Sequence, residues 1–350
     1  MNKETIVVGL TIGDLAGIGP EVIIKALSDE RVLKLFTPVI FTNAKVISFY
    51  RKMYDVQKWS YTIIKDLTKV VPNAINIYGP WEEEVIITPG KPNNDTGKYA
   101  LLSIQAACEA LKNHQVDVLV TAPINKKVIQ SDAFKFMGHT EFITEFFNSK
   151  ESLMFMVSDD LKVGLATNHL PINEVGKALN VNGILKKLHI MNTSLKEDFG
   201  IDKPKIAVLS LNPHAGDDGL IGNEEKETIL PAIQQANKEG IISFGPFGAD
   251  GFFGSGTFKK YDAILAMYHD QGLVPFKAMT FGNGTNFTAG LPIVRTSPDH
   301  GTGEDIAGKN LASPDGLLNA IYQAIDIHKN QIEYFEVRKN PLQKNYIKPE

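Results

Sequence analysis

Short apolar runs of strand type alternate with longer stretches of helical period along this chain, and no other feature restricts its fold as strongly. "TIVVGLTIG" (5–13) reads as a strand. Pro20 then opens "PEVIIKALSDERV" as a helix, with proline in the first turn where its missing N–H is not needed. "TPVIFTN" is a second strand. "TGKYALLSIQAACEALKNH" has the spacing of a long amphipathic helix and feeds the strand "VDVLVTAP". The strands "SLMFMVSD", "KVGLATN", "KIAVLSLN" and "YDAILAMY" follow, with helical runs such as "NEEKETILPAIQQANKE" among them. "PDGLLNAIYQAIDIHKNQIEYF" closes the series as a helix. This order predicts an α/β protein with a mostly parallel sheet covered by helices on both faces. Its 350 residues suffice for one large domain or two smaller ones. The stretch "SDAFKFMGHTE" (131–141) is the best candidate for a crossing point between two subdomains.

Composition narrows the partners. Lys and Arg number 36 against 40 Asp and Glu, a net charge of −4, so there is no basic surplus for nucleic acid or an anionic membrane. The single cysteine, Cys108, sits at helical spacing with Ala107 and Leu111 and reads as a buried small apolar residue. A lone cysteine forms no disulfide framework, which fits a reducing compartment. The apolar run near the N-terminus breaks at Gly13 and Asp14, and no window approaches eighteen apolar residues. The expected location is therefore cytoplasmic.

Three of the strand-type runs end in histidine: "KVGLATNHLP" at His169, "KIAVLSLNPHAG" at His214 and "AILAMYHDQG" at His269. Carboxyl ends of parallel strands lie along one edge, and ligands bind there. Two readings are open. Each imidazole is a polar strand terminus satisfied by backbone, or the three converge on one divalent ion, for which zinc, cobalt, manganese or nickel is suited. Three neutral ligands would leave the ion its full charge to polarise an alcohol or carbonyl oxygen. Asp270 either orients a ring or a metal-bound water, or is a solvated turn carboxylate. His114, His189 and His328 lie in helical runs and read as ordinary surface or core residues.

Polar residues after the third histidine are sparse: Lys277, Asn286 and Arg295, in "PFKAMTFGNGTNFTAGLPIVRTS". Such a set is able to clamp a phosphate or carboxylate, the arginine through bidentate contact. In "GHTEF", Gly138, His139 and Thr140 lead into a helix, whose start is either an anion site or an ordinary cap made by Thr140. "GEDIAGKN" (303–310) matches G-x-x-x-x-G-K but carries Asn310 where a P-loop needs Ser or Thr, and no strand precedes it. The glycines of "GDLAGIGPE" have the wrong order for a Rossmann fingerprint.

Taken in order, "GDLAGIGPE", "GHTE", "TNHLP", "LNPHAG", "MYHDQG" and "DHGTGEDIAGKN" resemble the signature stretches of the 4-hydroxythreonine-4-phosphate dehydrogenase family. The likeness runs from about residue 5 to 330. It implies a three-layer α/β/α fold of isocitrate/isopropylmalate dehydrogenase type, with two subdomains flanking a cleft. The expected division is 1–130 with 273–350, against 131–272. It also implies a homodimer with the site at the subunit interface, NAD, and one divalent ion (Zn, Mg, Co or Mn). On these residues the family's metal ligands fall on His169, His214 and His269. Its substrate contacts fall on His139, Thr140, Lys277, Asn286 and Arg295. The loop holding NAD would include His300, Gly301, Asp305, Gly308 and Asn310. The family usually has proline where this chain has Leu15, so a local shift of that loop is expected.

The implied reaction is oxidation of 4-phosphooxy-L-threonine to a β-keto acid that decarboxylates to 3-amino-2-oxopropyl phosphate, in pyridoxal phosphate biosynthesis. A phosphorylated threonate or erythronate is the alternative substrate, because one substituent near the metal separates the two. A non-catalytic metal- or phosphate-binding protein is the reading from another class.

Overall fold

A computed structural model describes residues 5–340. The first half contains β1 (Ile6–Thr11), α1 (Gly19–Ala26), β2 (Phe36–Phe41), α2 (Ala44–Met53), β3 (Thr62–Ile64), β4 (Asn76–Tyr78), α3 (Asn94–Lys112), β5 (Val118–Thr121) and α4 (His139–Phe146). The middle of the chain gives β6 (Leu153–Val157), β7 (Lys162–Leu165), α5 (Ile172–Ala178), α6 (Val181–Glu197), β8 (Lys205–Leu209), α7 (Leu230–Lys238) and β9 (Ile242–Phe247). The last third adds α8 (Ala249–Gly254), β10 (Ala263–Ala266), α9 (His269–Thr280), β11 (Thr285–Ala289), β12 (Arg295–Pro298) and α10 (Asp315–Arg338).

The strands form one sheet in the order β3-β4-β2-β1-β5-β12-β11-β6-β7-β10-β8-β9. Most ladders are parallel, as the alternation predicts. The exceptions lie together in the centre, where β12–β11, β11–β6 and β6–β7 are antiparallel. Three successive reversals mean that the parallel block on one side runs opposite to the block on the other. The sequence reading of one common carboxyl edge therefore holds for β7, β10 and β8, which are mutually parallel neighbours, but not for the whole sheet.

Pleating sends alternate side chains to opposite faces, and the two faces are packed differently. Val8, Leu10, Val118, Val120, Phe155, Val157, Ile206, Val208 and Leu265 share one continuous core with residues of α1, α6, α7 and α10. On the other face the apolar residues fall into two separate clusters. Leu119 packs with Leu101, Ile104 and Cys108 of α3 and with Phe142 of α4. Met156, Val163, Ala207 and Ile264 pack with Phe252 of α8 and with Leu273 and Phe276 of α9. Between them, the strand positions that share this face are polar: Thr121, Arg295, Ser297, Asn286 and Thr288. A sheet face interrupted in this way leaves room for a ligand rather than a core.

Several local expectations change. The helix beginning at Pro20 is short: α1 starts at Gly19 and stops at Ala26, and a separate turn follows. Leu15 is fully buried in the continuous core, and its carbonyl accepts the Tyr50 hydroxyl. Its loop is pinned on both sides, by Asp14 N–H on the Pro123 carbonyl and Ile18 N–H on the Thr302 carbonyl. Cys108 is buried, as its helical spacing indicates, and burial pushes its thiol up to about 12. Among the described residues no helix is long and apolar enough to cross a membrane.

Candidate active site

A cavity of about 300 Å³ opens over the polar centre of the sheet. Its floor comes from β5, β11 and β12. Arg295, at the start of β12, is 2 % exposed, and its guanidinium donates to the hydroxyls of Thr121 and Thr288 at 3.1 Å. Among the described residues no carboxylate forms an ion pair with it, and Glu141 acts on it only at longer range. Burial alone pulls its pKa down, to about 10, so it stays charged at neutral pH. A cation with hydroxyl partners and an open side toward a cavity is a site for an anion.

The walls supply further unpaired groups. His139 Nε2, Asn286 Oδ1 and His300 Nε2 are buried without a hydrogen-bond partner, and all three residues line this cavity. Buried polar atoms are normally satisfied, so three orphans around one space indicate that a polar ligand completes them. His139 is held neutral: burial depresses its pKa well below the usual imidazole value, and the charges of Arg295 and Lys126 add to this. It begins α4, whose N-cap is Gly138, and no side chain caps the helix. Of the two readings of this helix start, the cap by Thr140 is absent. Thr140 lies in the first turn and its carbonyl accepts the Thr144 hydroxyl at 2.6 Å. Lys277, on α9, reaches the cavity and pairs with Asp299 at 3.0 Å. All five anion-contact residues named from the sequence thus share one cavity.

The histidines are distributed less evenly. β7 and β10 are parallel with Leu165 opposite Ala266, and the backbone pairing runs on through Ala166 and Thr167. The imidazoles that follow, His169 and His269, therefore meet, with ring centroids 5.5 Å apart. His269 opens α9 rather than lying in a turn. Its Nδ1 is bonded to Asp270 Oδ1 at 2.7 Å, which leaves Nε2 as the free ligand atom. His169 has its pKa lowered by burial and by Lys126, with Glu141 opposing, so it is neutral as a metal ligand must be. His214 is exposed in a run of left-handed residues, 214–218, after β8. Among the described residues no group of three His, Cys, Asp or Glu is placed to hold a metal ion. The donor chemistry of the His169–His269 pair fits a divalent ion; His214 stands apart from it.

The segment after β12 forms part of the same wall, through Asp299, His300 and Gly301. It then runs as a turn-rich, half-buried loop, with Ala307 in the core, past Asp305 and Gly308 to Asn310, which is left-handed and whose carbonyl accepts from Lys25 of α1. Gly308 is required there, since a Cβ would lie 2.8 Å from that of Pro89. Sequence reasoning missed Thr121, Ser297, Lys126, Glu141 and Asp299. Strand alternation gives the signal for Thr121 and Ser297, once the register of the central strands is known.

An α/β fold with a buried arginine, orphaned polar atoms and two adjacent imidazoles around one cavity defines an enzyme for a small anionic substrate. Residues 34–324 match the model of the PdxA family, described as pyridoxal phosphate biosynthetic protein PdxA. The chain belongs to that family. It is 48% identical over 347 residues to the 4-hydroxythreonine-4-phosphate dehydrogenase of Bacteroides thetaiotaomicron, covering 99% of this chain and 95% of the relative. A protein of Oceanobacillus iheyensis provisionally named D-threonate 4-phosphate dehydrogenase is 36% identical, covering 93% and 99%. The crystal structure of 4-hydroxythreonine-4-phosphate dehydrogenase from Klebsiella pneumoniae superposes with a TM-score of 0.79 at 30% identity, covering 94% and 99%.

Proposed function

We propose that this chain is a dehydrogenase that oxidises 4-phosphooxy-L-threonine with NAD and one divalent metal ion, in pyridoxal phosphate biosynthesis. The observation that carries this reading is the convergence of Arg295, Lys277, His139, Thr140 and Asn286 on one cavity beside the His169–His269 pair. Those five residues would hold the phosphate and carboxylate ends of the substrate. His169 and His269 would hold the ion, His214 would have to approach them to serve as the third ligand, and Asp270 would fix the tautomer and orientation of His269. When bound, the ion supplies Lewis acidity that lowers the pKa of the substrate hydroxyl. NAD supplies the hydride acceptor, and the loop from His300 to Asn310, with Gly301, Asp305 and Gly308, would carry its adenosine half. Loss of a proton and a hydride from the alcohol gives the β-keto acid, which loses its carboxylate to leave 3-amino-2-oxopropyl phosphate.

The assembly we propose is a homodimer with the site at the interface. Leu170, Leu220 and Ile221 are exposed on the loops that carry His169 and His214, as is Ile172 at the start of α5, and a second copy over this face would bury them. The two subdomains we propose are 1–130 with 273–350 and 131–272; the cluster against α3 also takes in Phe134, Phe142 and Ile143, and the cluster against α8 takes in Leu273 and Phe276, so packing crosses that division in both directions. A cytoplasmic location agrees with the lone buried thiol of Cys108.

The relative named for D-threonate 4-phosphate supports a second reading, a phosphorylated four-carbon sugar acid as substrate. NADH formation measured in parallel on the two compounds tests both. A kcat/KM at least about tenfold higher on 4-phosphooxy-L-threonine is expected; preference for the sugar acid would replace the first reading with the second.

A further inference from the structure

The turn after β5 and the loop after β12 are far apart in sequence, and a single carboxylate joins them. Glu304 Oε1 accepts Asn125 Nδ2 at 2.8 Å and the Thr302 hydroxyl at 2.6 Å. Burial opposes the charge of Glu304, but hydrogen bonds, those from Thr302 and Asn125 among them, outweigh it and hold the carboxyl below its usual range. The other end of the Asn125 amide is engaged too. Its Oδ1 accepts the N–H groups of Lys127 and Val128 at 3.0 and 3.3 Å. That closes the turn around Lys126, whose carbonyl takes the Gln130 amide at 3.1 Å. Lys126 lines the cavity, and its charge adds to burial in depressing the imidazoles of His139 and His169. Its side chain is exposed, so the backbone turn sets where the ammonium can reach. On the other side, the Thr302 carbonyl accepts the Ile18 N–H at 2.9 Å, and a Cβ on Gly90 would lie 2.7 Å from the Glu304 carbonyl oxygen. Backbone contacts seat the loop, and Glu304 ties it to the cavity wall.

We propose that Glu304 is a positioning residue: through Asn125 it holds the Lys126 turn and the 300–310 loop in one arrangement, so that the cavity and the loop lose affinity for their ligands together when it is removed. The inference rests on the reading of the cavity as an anion site and of the loop as the carrier of NAD, and adds what joins the two. Glu304 acts on both sites without touching either ligand. A hydrogen bond to a charged acceptor favours the bridged arrangement by about tenfold or more over an open one. A ligand that requires the bridged arrangement loses apparent affinity in proportion as that arrangement becomes less populated. Phosphate in the cavity needs the Lys126 turn in place, and a dinucleotide needs the loop in place, so one bridge serves both.

The test is calorimetric titration of inorganic phosphate and, separately, of NAD into the wild-type protein, Glu304→Ala, Glu304→Gln, Asn125→Ala and the double alanine variant. Both affinities should fall about tenfold in Glu304→Ala, while Glu304→Gln, which keeps an acceptor oxygen, should stay within about threefold of wild type. Asn125→Ala carries a further cost from the turn it closes, so the decisive quantity is the coupling between the two positions. That substitution should cost about tenfold less affinity once residue 304 is already alanine. A side chain that merely stabilises the fold would lower the thermal midpoint and leave no such coupling in ligand affinity. Phosphate affinity unchanged in Glu304→Ala, or an equal cost of Asn125→Ala in both backgrounds, overturns the proposal. Loss of NAD affinity alone also overturns it, since Glu304 would then be a direct contact of the dinucleotide. The two readings fail separately. Coupled loss of phosphate affinity in a protein that binds no NAD removes the dinucleotide assignment and keeps Glu304 as the positioning residue of the cavity, whereas normal NAD binding without coupling does the reverse.

Discussion

Arg295→Met separates what this residue does for ligand binding from what it does for stability. The guanidinium is 2 % exposed and its charge has hydroxyls for partners. Its pKa is drawn down to about 10 by burial, a fall worth about 3 kcal/mol of desolvation borne by the charged form. Methionine keeps most of the aliphatic volume and removes the charge, at the loss of hydrogen bonds worth about 1 kcal/mol each. The two effects nearly offset, so the free variant should lie within about 2 kcal/mol of wild type, on the stable side if the hydroxyls of Thr121 and Thr288 find other partners. Ligand binding should behave in the opposite way. Inorganic phosphate at a hundred times its Kd should stabilise the wild-type protein by about 2.7 kcal/mol, and should leave the thermal midpoint of the variant unmoved at the same concentration. Unfolding curves of both proteins across a phosphate series measure this. A free variant destabilised by more than about 3 kcal/mol, or an equal phosphate shift in both proteins, would refute the reading of Arg295 as an anion-binding cation.

Asp198 gives a prediction about pH. It is buried against Ser194 and Gln331, and burial raises its pKa to about 6. An acid with a raised folded pKa is unpenalised below its unfolded value and loses stability as pH rises through the folded one. Asp198→Asn should therefore stabilise the protein by about 1–3 kcal/mol at pH 8 and by nothing near pH 3, as read from unfolding midpoints across that range. Asp270→Asn removes the carboxylate on His269 Nδ1 and should weaken metal affinity or turnover by about 10–100-fold, measured by metal titration; a change under twofold would make Asp270 a bystander. His214→Asn tolerates the left-handed backbone at φ 51. It should keep the thermal midpoint and lose turnover, and near-normal activity would remove His214 from the ligand set.

Much of the architecture was legible because periodicity reports which faces are buried. The strand runs around Val8, Leu119, Val208 and Leu265 are nearly continuous in apolar residues, and all are covered on both sides. The reversal of direction in the centre was not legible. β6, β11 and β12 look locally like other strands, and the pairing that makes them antiparallel is set by partners far away in sequence. The same limit applies to the site. His169 and His269 ended recognisable strands, and their meeting needed only that β7 and β10 be neighbours. Thr121, Ser297 and Glu141 join the cavity through register and helix placement, which no local pattern records. His214 was assigned the same slot as the other two, yet its loop adopts a left-handed course that carries it to the surface. Leu15 is buried in the core and Ile18 of its loop is tied to Thr302, contacts that no local pattern records.

The central claim is that the cavity and the histidine pair form one metal-dependent dehydrogenase site. NADH formation from 4-phosphooxy-L-threonine, on protein stripped by chelator and then resupplied with single divalent ions, tests it most directly. Activity that vanishes on stripping and returns with zinc, magnesium, cobalt or manganese is the predicted result. Full activity in the stripped protein, or none with any ion on either phosphorylated acid while NAD still binds, would contradict it.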